Sequence, residues 1–142
     1  MTYRFLPHTA DILVEIEAPT FAELLQEASA VARRLLAGES AVAASVARPV
    51  GVSGTSLDDL LFEYLRELLY QFATDGFIPA RLEPDELHVT RMGPAALAGT
   101  VFGERFDAAR HETQPEIKAV TRHGLQVTET PDGFRAEILF DV

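Results

Sequence analysis

The sequence predicts an α+β fold, in which a mostly antiparallel sheet carries two helices packed on one face. Segments with helical periodicity occur only before residue 76, and the chain after that point is strand-like, with apolar and polar residues alternating. Short strands, two helices and then a run of strands are typical of α+β proteins. A length of 142 residues fits one domain, covering 1–142, with a core of its own.

Two strands are expected at the start of the chain, over residues 2–8 and 11–18. Alternate residues of the second are apolar and would share one face of a sheet: Ile12, Val14, Ile16 and Ala18. Thr20 and Glu23 then form a capping box, the signature of a helix N-terminus. Gly38 marks the C-terminal end of this first helix.

A strand over 45–54 leads to a second helix, which begins after Ser56 and ends near Thr74. This helix has a wide apolar face, made of Leu57, Leu60, Leu61, Tyr64, Leu65, Leu68, Leu69 and Phe72. The "TPDG" stretch at 130–133 predicts a hairpin turn. The rest of the chain is predicted to form five strands, at about 77–83, 86–92, 96–106, 117–129 and 134–141.

Charge and composition narrow the range of functions. The chain has 12 Lys and Arg against 22 Asp and Glu, a net charge of −10, which disfavours direct nucleic-acid binding and suits cations or a basic protein surface. The absence of cysteine excludes thiolate catalysis and cysteine-based metal sites. No signal peptide or membrane span is recognisable, which predicts a cytoplasmic protein. The common nucleotide-binding, metalloprotease and hydrolase motifs are also missing.

Three groups of polar residues remain as candidates for chemistry. The first is "HTAD", which contains His8 and Asp11 and whose spacing alone favours a surface turn before a strand. The second is the polar segment 103–124, which contains Lys118, the single lysine of the chain. This segment is either a binding loop held by a rigid sheet or a solvated connection.

The third group is Asp141, one residue before Val142, at the end of the last predicted strand. It is either an ordinary exposed carboxylate or one part of a shared site. If the first and last strands are neighbours, Asp11, Asp141 and the α-carboxylate of Val142 converge. Their oxygens would repel one another unless a hard cation such as Ca²⁺, Mg²⁺ or Mn²⁺ joined them.

With these three groups in this order, the chain resembles the archease family along nearly its whole length. The matching stretches are "FLPHTADILVEIEA", "DDLLFEYLRELLYQF", "GERFDAARHETQPEIKAVTRHGLQV" and "AEILFDV". Each stretch alone is a weak signal, whereas the combination is highly specific. One departure follows "EIKAVT", where the family usually has an aromatic residue and this chain has Arg122.

The resemblance implies an archease-like α+β fold and a non-catalytic accessory role in tRNA splicing and RNA repair. Archeases assist an RtcB-type RNA ligase by promoting its guanylylation and its multiple turnover. The divalent-metal site of the family, which takes Ca²⁺, maps to Asp11, Asp141 and Val142. The lysine implicated in activating the ligase maps to Lys118.

We expect His8, His111 and Glu116 to share with this lysine the contact to the ligase or its nucleotide. A rival hypothesis is a metal-dependent hydrolase that uses the same carboxylates, with His111 or His123 as the general base. A third is a plain protein-interaction domain with a structural ion, which would keep its activity after the metal is removed.

Overall fold

Two antiparallel sheets and two helices make up residues 1–6 and 11–142, the part of the chain that the computed structural model describes. The elements in chain order are β1 (Thr2–Leu6), β2 (Ile12–Ala18), α1 (Phe21–Ala37), β3 (Val46–Gly54), α2 (Leu57–Asp75), β4 (Phe77–His88), β5 (Ala95–Arg105), β6 (Ala119–Thr130) and β7 (Gly133–Asp141). The α+β class and the antiparallel pairing predicted from the sequence are therefore confirmed.

The strands divide between two sheets, which the sequence did not predict. Sheet A has the order β1-β2-β7-β6 and sheet B the order β3-β5-β4. Helix α1 contacts β2 of sheet A and β4 of sheet B, and α2 contacts β6 of sheet A and β3 of sheet B. Each helix therefore packs against both sheets. The sequence predicted two helices on one face of a single sheet, and the structure instead has two sheets that share the two helices.

Both helices begin as predicted. The side chains of Thr20 and Ser56 accept hydrogen bonds of 3.1 Å from the backbone N–H three residues later, which caps the two N-termini. Gly76 ends α2 in the left-handed conformation, where a side chain would be strained. Within residues 1–6 and 11–142, no helix combines the length and the apolar character that crossing a bilayer requires.

Strand β4 corrects one prediction about boundaries. The two strands expected at 77–83 and 86–92 form a single strand, Phe77–His88. Its pairing with β5 is irregular at Pro79 and Pro84, where the register shifts. Proline has no backbone N–H to donate to a neighbouring strand. Each register shift lets β4 continue past a proline without the missing hydrogen bond.

Glycines of β5 lie opposite both irregularities. Gly103 faces Pro79 and Gly99 faces Pro84. A Cβ atom on Gly103 would lie 2.0 Å from the carbonyl oxygen of Ile78, and one on Gly99 would lie 2.4 Å from that of Glu83. The close backbone approach therefore requires glycine at both positions.

Side chains of the two helices cover exposed sheet edges. Gln26 of α1 bonds both backbone groups of Leu82 in β4, accepting from its N–H at 3.0 Å and donating to its carbonyl oxygen. Asp58 of α2 accepts a 2.7 Å hydrogen bond from the backbone N–H of Val127 in β6. These contacts satisfy edge groups that could otherwise pair with another chain.

The core lies between the sheets and the helices. The inward faces of β2 and β7 contribute Val14, Ile16, Ala136, Ile138 and Phe140, all at most 1% exposed. The hydroxyl of Tyr64 lies in this core at 2.6 Å from the Oγ of Ser29, and burial raises the pKa of the phenol. Because β2 and β7 are buried on one face only, their polar residues are directed to the outer face of sheet A.

Candidate functional site

The ends of β2 and β7 bring two predicted ligands to one place. Ile12 pairs with Phe140 at the end of the β2–β7 ladder, and continuing this antiparallel register by one residue would place Asp11 opposite Asp141. Residues directly opposite each other share a face of the sheet, with Cβ atoms about 5 Å apart. On this register the outer face of sheet A would carry the two carboxylates side by side at this end.

The same face carries a second pair of opposed carboxylates, which provides a comparison. Glu15 pairs with Glu137, and Arg4 of β1 offsets their repulsion through a 2.9 Å ion pair with Glu15. None of the ion pairs among residues 1–6 and 11–142 involves Asp11 or Asp141. Like charges in register destabilise a sheet, so a cation bound between Asp11 and Asp141 would stabilise this end of sheet A.

The donor set suits a hard cation. Asp141 is exposed, and Val142 is 38% exposed, so carboxylate oxygens at this end of the sheet are open to solvent. Oxygen donors without thiolate or imidazole are the preferred ligands of Ca²⁺ and Mg²⁺. Among the described residues no three His, Asp or Glu side chains form a ready-made metal cluster. The predicted set has only two such side chains, and His8 lies outside the described residues.

Lys118 lies next to this end of the sheet. Its backbone N–H donates a 2.8 Å hydrogen bond to the carbonyl oxygen of Asp141, and the following residue, Ala119, pairs with Asp141 in the β6–β7 ladder. The side chain is exposed and takes part in no ion pair within the described part of the chain. The structure therefore joins the predicted lysine to one of the two predicted aspartates, Asp141, through a backbone contact.

The segment between β5 and β6 is held by a buried carboxylate. Glu104, at the end of β5, is 6% exposed and accepts hydrogen bonds from both Nη groups of Arg110 and from the backbone N–H of Ala43. The Arg110 guanidinium and the Ala43 N–H lower the pKa of Glu104 to about 2. Burial alone would raise this pKa, so the hydrogen bonds to the ionised form dominate.

His111 belongs to this buried cluster. Its Nδ1 accepts a 2.9 Å hydrogen bond from the backbone N–H of Asp107, which leaves the ring proton on Nε2. Nε2 lies 3.4 Å from Glu104, too far for a strong hydrogen bond, and the ring packs on Phe106 with centroids 5.7 Å apart. At 4% exposure His111 supports the segment from within, so any effect of this residue on a partner acts through that segment.

The other predicted contact residues are on the surface. Glu116 is exposed in the irregular stretch before β6, two residues from Lys118. His123 is exposed within the β6 irregularity between Thr121 and Gln126, where the register with β7 shifts. The structure thus separates His111 from Glu116 and His123, which the sequence had grouped in one polar segment.

Sequence reasoning missed the role of Arg122. Its guanidinium lies 3.9 Å from the centre of the Phe62 ring and bonds to Asp59 and Glu63, all three on α2. These contacts fasten the irregular part of β6 to α2. The only signal was that an arginine stands where the family usually has an aromatic residue.

Comparison with known proteins settles the family. A profile described as the Archease protein family (MTH1598/TM1083) matches residues 3–142. The chain belongs to the archease family. It is 31% identical over 144 residues to protein archease of Archaeoglobus fulgidus, covering 100% of both chains. It is 29% identical over 140 residues to that of Methanosarcina barkeri, covering 99% of this chain and 95% of the relative.

Solved archease-like structures agree with the fold. The solution structure of Methanobacterium thermoautotrophicum protein 1598 superposes with a TM-score of 0.78 at 24% identity, covering 99% of this chain and 98% of the other. The crystal structure of a Thermotoga maritima archease, described as a possible chaperone, gives a TM-score of 0.60 at 21% identity, covering 96% and 94%. At these identities the two structures support the fold alone.

Proposed function

We propose that this archease is a cytoplasmic, non-catalytic accessory protein that activates an RtcB-type RNA ligase in tRNA splicing and RNA repair. It promotes guanylylation and multiple turnover of the ligase. Asp11, Asp141 and the α-carboxylate of Val142 hold a divalent cation, and Lys118 contacts a ligase carboxylate or a nucleotide phosphate. The observation that supports the proposal is the β2–β7 register, whose continuation would place Asp11 opposite Asp141, together with the backbone contact between Asp141 and Lys118.

Electrostatics support a protein partner over direct RNA binding. The net charge of −10 repels a phosphate backbone and attracts the basic surface that an RNA ligase needs for its substrate. A divalent cation at the end of sheet A would neutralise the opposed carboxylates and could be presented to that surface. The chain itself would bind and orient the ion, while the ligase performs the chemistry.

The rival, a metal-dependent hydrolase, receives less support from the geometry. One of its two candidate bases, His111, is buried with Nδ1 engaged by a backbone N–H, so this histidine has no free lone pair for a substrate. The other candidate, His123, is exposed and lies within the register shift of β6, between Thr121 and Gln126. The hydrolase hypothesis predicts turnover by the isolated protein, which an assay without ligase would detect.

The test is a ligation assay with purified ligase, excess RNA substrate and limiting divalent metal. Asp141→Asn should abolish most of the stimulation and weaken Ca²⁺ binding, measured by calorimetry, by about ten-fold or more, because even indirect metal partners contribute on that scale. Asp132→Asn is a matched control, since Asp132 is exposed in the turn at the other end of β7. Full stimulation by Asp141→Asn would refute the metal-dependent role.

A further inference from the structure

A continuous groove runs along the solvent side of α2. It consists of two adjoining cavities of about 320 Å³ and 470 Å³, which share Leu69, Ala73 and Ile117 in their walls. We call this feature the α2 groove. One wall is the helix and the other is the irregular stretch 113–117 with the start of β6.

The two ends of the α2 groove differ in chemistry. The smaller cavity is lined chiefly by apolar side chains, among them Leu36, Phe72 and Phe106. The larger cavity opens beside Lys118 and Tyr70, whose side chain is largely exposed. An apolar pocket with an exposed aromatic and charged side chains at its mouth is the pattern of a site that anchors a side chain of another protein.

The charges of the α2 groove select its ligand. Arg122 is already bound to Asp59 and Glu63, and Arg66 lies 3.6 Å from the same Glu63. Among the described residues that line the groove, Lys118 is therefore the cation without an ion-pair partner. One ammonium group in a chain of net charge −10 matches one carboxylate, whereas a polyphosphate would need several cations.

The wall of the α2 groove is fixed before any partner binds. The backbone N–H of Glu112 donates to Ser40 at 2.7 Å, and the side chain of Glu112 accepts from the backbone N–H of Glu39 at 3.2 Å. The wall approaches α1 so closely that a Cβ on Gly38 would lie 2.3 Å from the Glu112 carboxylate. A preformed groove costs a ligand little ordering entropy.

We propose that the α2 groove is a docking site for a protein segment that places an apolar side chain in the smaller cavity and an adjacent carboxylate on Lys118. The inference rests on the proposed function in one respect, namely that the protein partner is the ligase. It assigns to Lys118 a carboxylate of the partner, and it assigns partner attachment to the α2 groove, which adjoins the end of sheet A at Asp141.

The first experiment tests the chemistry of the α2 groove without the ligase, using anilinonaphthalene sulfonate, a fluorescent apolar anion. The groove-filling variant is Ala73→Gln, because Ala73 lines both cavities from an exposed helix position. The control is Thr74→Gln, the neighbouring exposed position that lines neither cavity. We expect saturable dye binding by the wild type and the control, with affinity about ten-fold lower in Ala73→Gln. No saturable binding, or equal binding by both variants, would overturn the proposal.

The second experiment measures ligase affinity for the same variants and for Lys118→Gln and Lys118→Arg. We expect Ala73→Gln and Lys118→Gln to bind the ligase more weakly, and Lys118→Arg to retain binding, because a guanidinium also pairs with a carboxylate. Asp141→Asn should lose stimulation to a greater extent than it loses ligase affinity. If Ala73→Gln binds as the wild type does, docking in the groove is wrong and the proposed function is untouched. If the wild type neither binds nor stimulates the ligase, the proposed function is wrong, and dye binding alone decides whether the groove is a site.

Discussion

Replacement of Glu104 by glutamine should destabilise the protein in a pH-dependent way. The wild-type carboxyl has its pKa lowered from 4.5 to about 2, which corresponds to about 3 kcal/mol of stability above pH 5. The amide side chain of Glu104→Gln would keep an acceptor for the Ala43 N–H but lose the charge-assisted pair with Arg110. Because that arginine is 51% exposed and can return to water, we expect a loss of about 2 kcal/mol at pH 7.

The assay is urea unfolding of the wild type and Glu104→Gln between pH 7 and pH 3. A lowered pKa in the folded state means that the stabilisation is complete above the unfolded value of 4.5 and is lost as pH falls toward 2. The difference between the two proteins should therefore shrink through that window. Glu83→Gln is the control, since the pair of Glu83 with Arg81 is exposed and should contribute less than about 1 kcal/mol. A difference that stays constant with pH would refute the reasoning.

Two further predictions concern packing and are measured by the same unfolding assay. Gly103→Ala should lower the free energy of unfolding by about 3 kcal/mol or more, because its Cβ would lie 2.0 Å from the carbonyl oxygen of Ile78. The control is Gly51→Ala, whose Cβ would meet nothing within 4 Å and which should lower it by less than about 1 kcal/mol. Equal losses of stability in the two variants would contradict this explanation. Tyr64→Phe should cost about 1 kcal/mol through loss of the 2.6 Å hydrogen bond to Ser29, and an unchanged stability would show that this bond makes no net contribution.

Local features of the fold were predictable because they depend on neighbours in the sequence. The caps at Thr20 and Ser56 and the hairpin turn ending at Gly133 follow from residues within one turn of chain, and all three are observed. The division into two sheets depends on which distant strands pair. Periodicity carries no signal for that choice, since a strand of sheet A and one of sheet B alternate in the same way.

The same distinction applies to the candidate site, where positions within one strand were predictable and contacts between distant segments were not. Asp11 and Asp141 were assigned to strand ends by pattern, and the structure shows that their strands, β2 and β7, pair. The α2 groove was missed because its two walls are far apart in sequence. One signal was present: the apolar face of the second helix was wider than a single core contact requires, and the half-buried Leu69 and Phe72 at its margin line the groove.

The position of β7 in sheet A also bears on how the protein folds. Residues 46–105 contain all three strands of sheet B and helix α2, so this part can assemble from contacts that are close in sequence. In sheet A, β7 lies between β2 and β6 and joins residues more than 100 positions apart along the chain. Such long-range pairing is entropically costly and slow. We therefore expect the ends of β2 and β7 to meet only in the last folding step, so that under the proposed function cation affinity would report on completed folding.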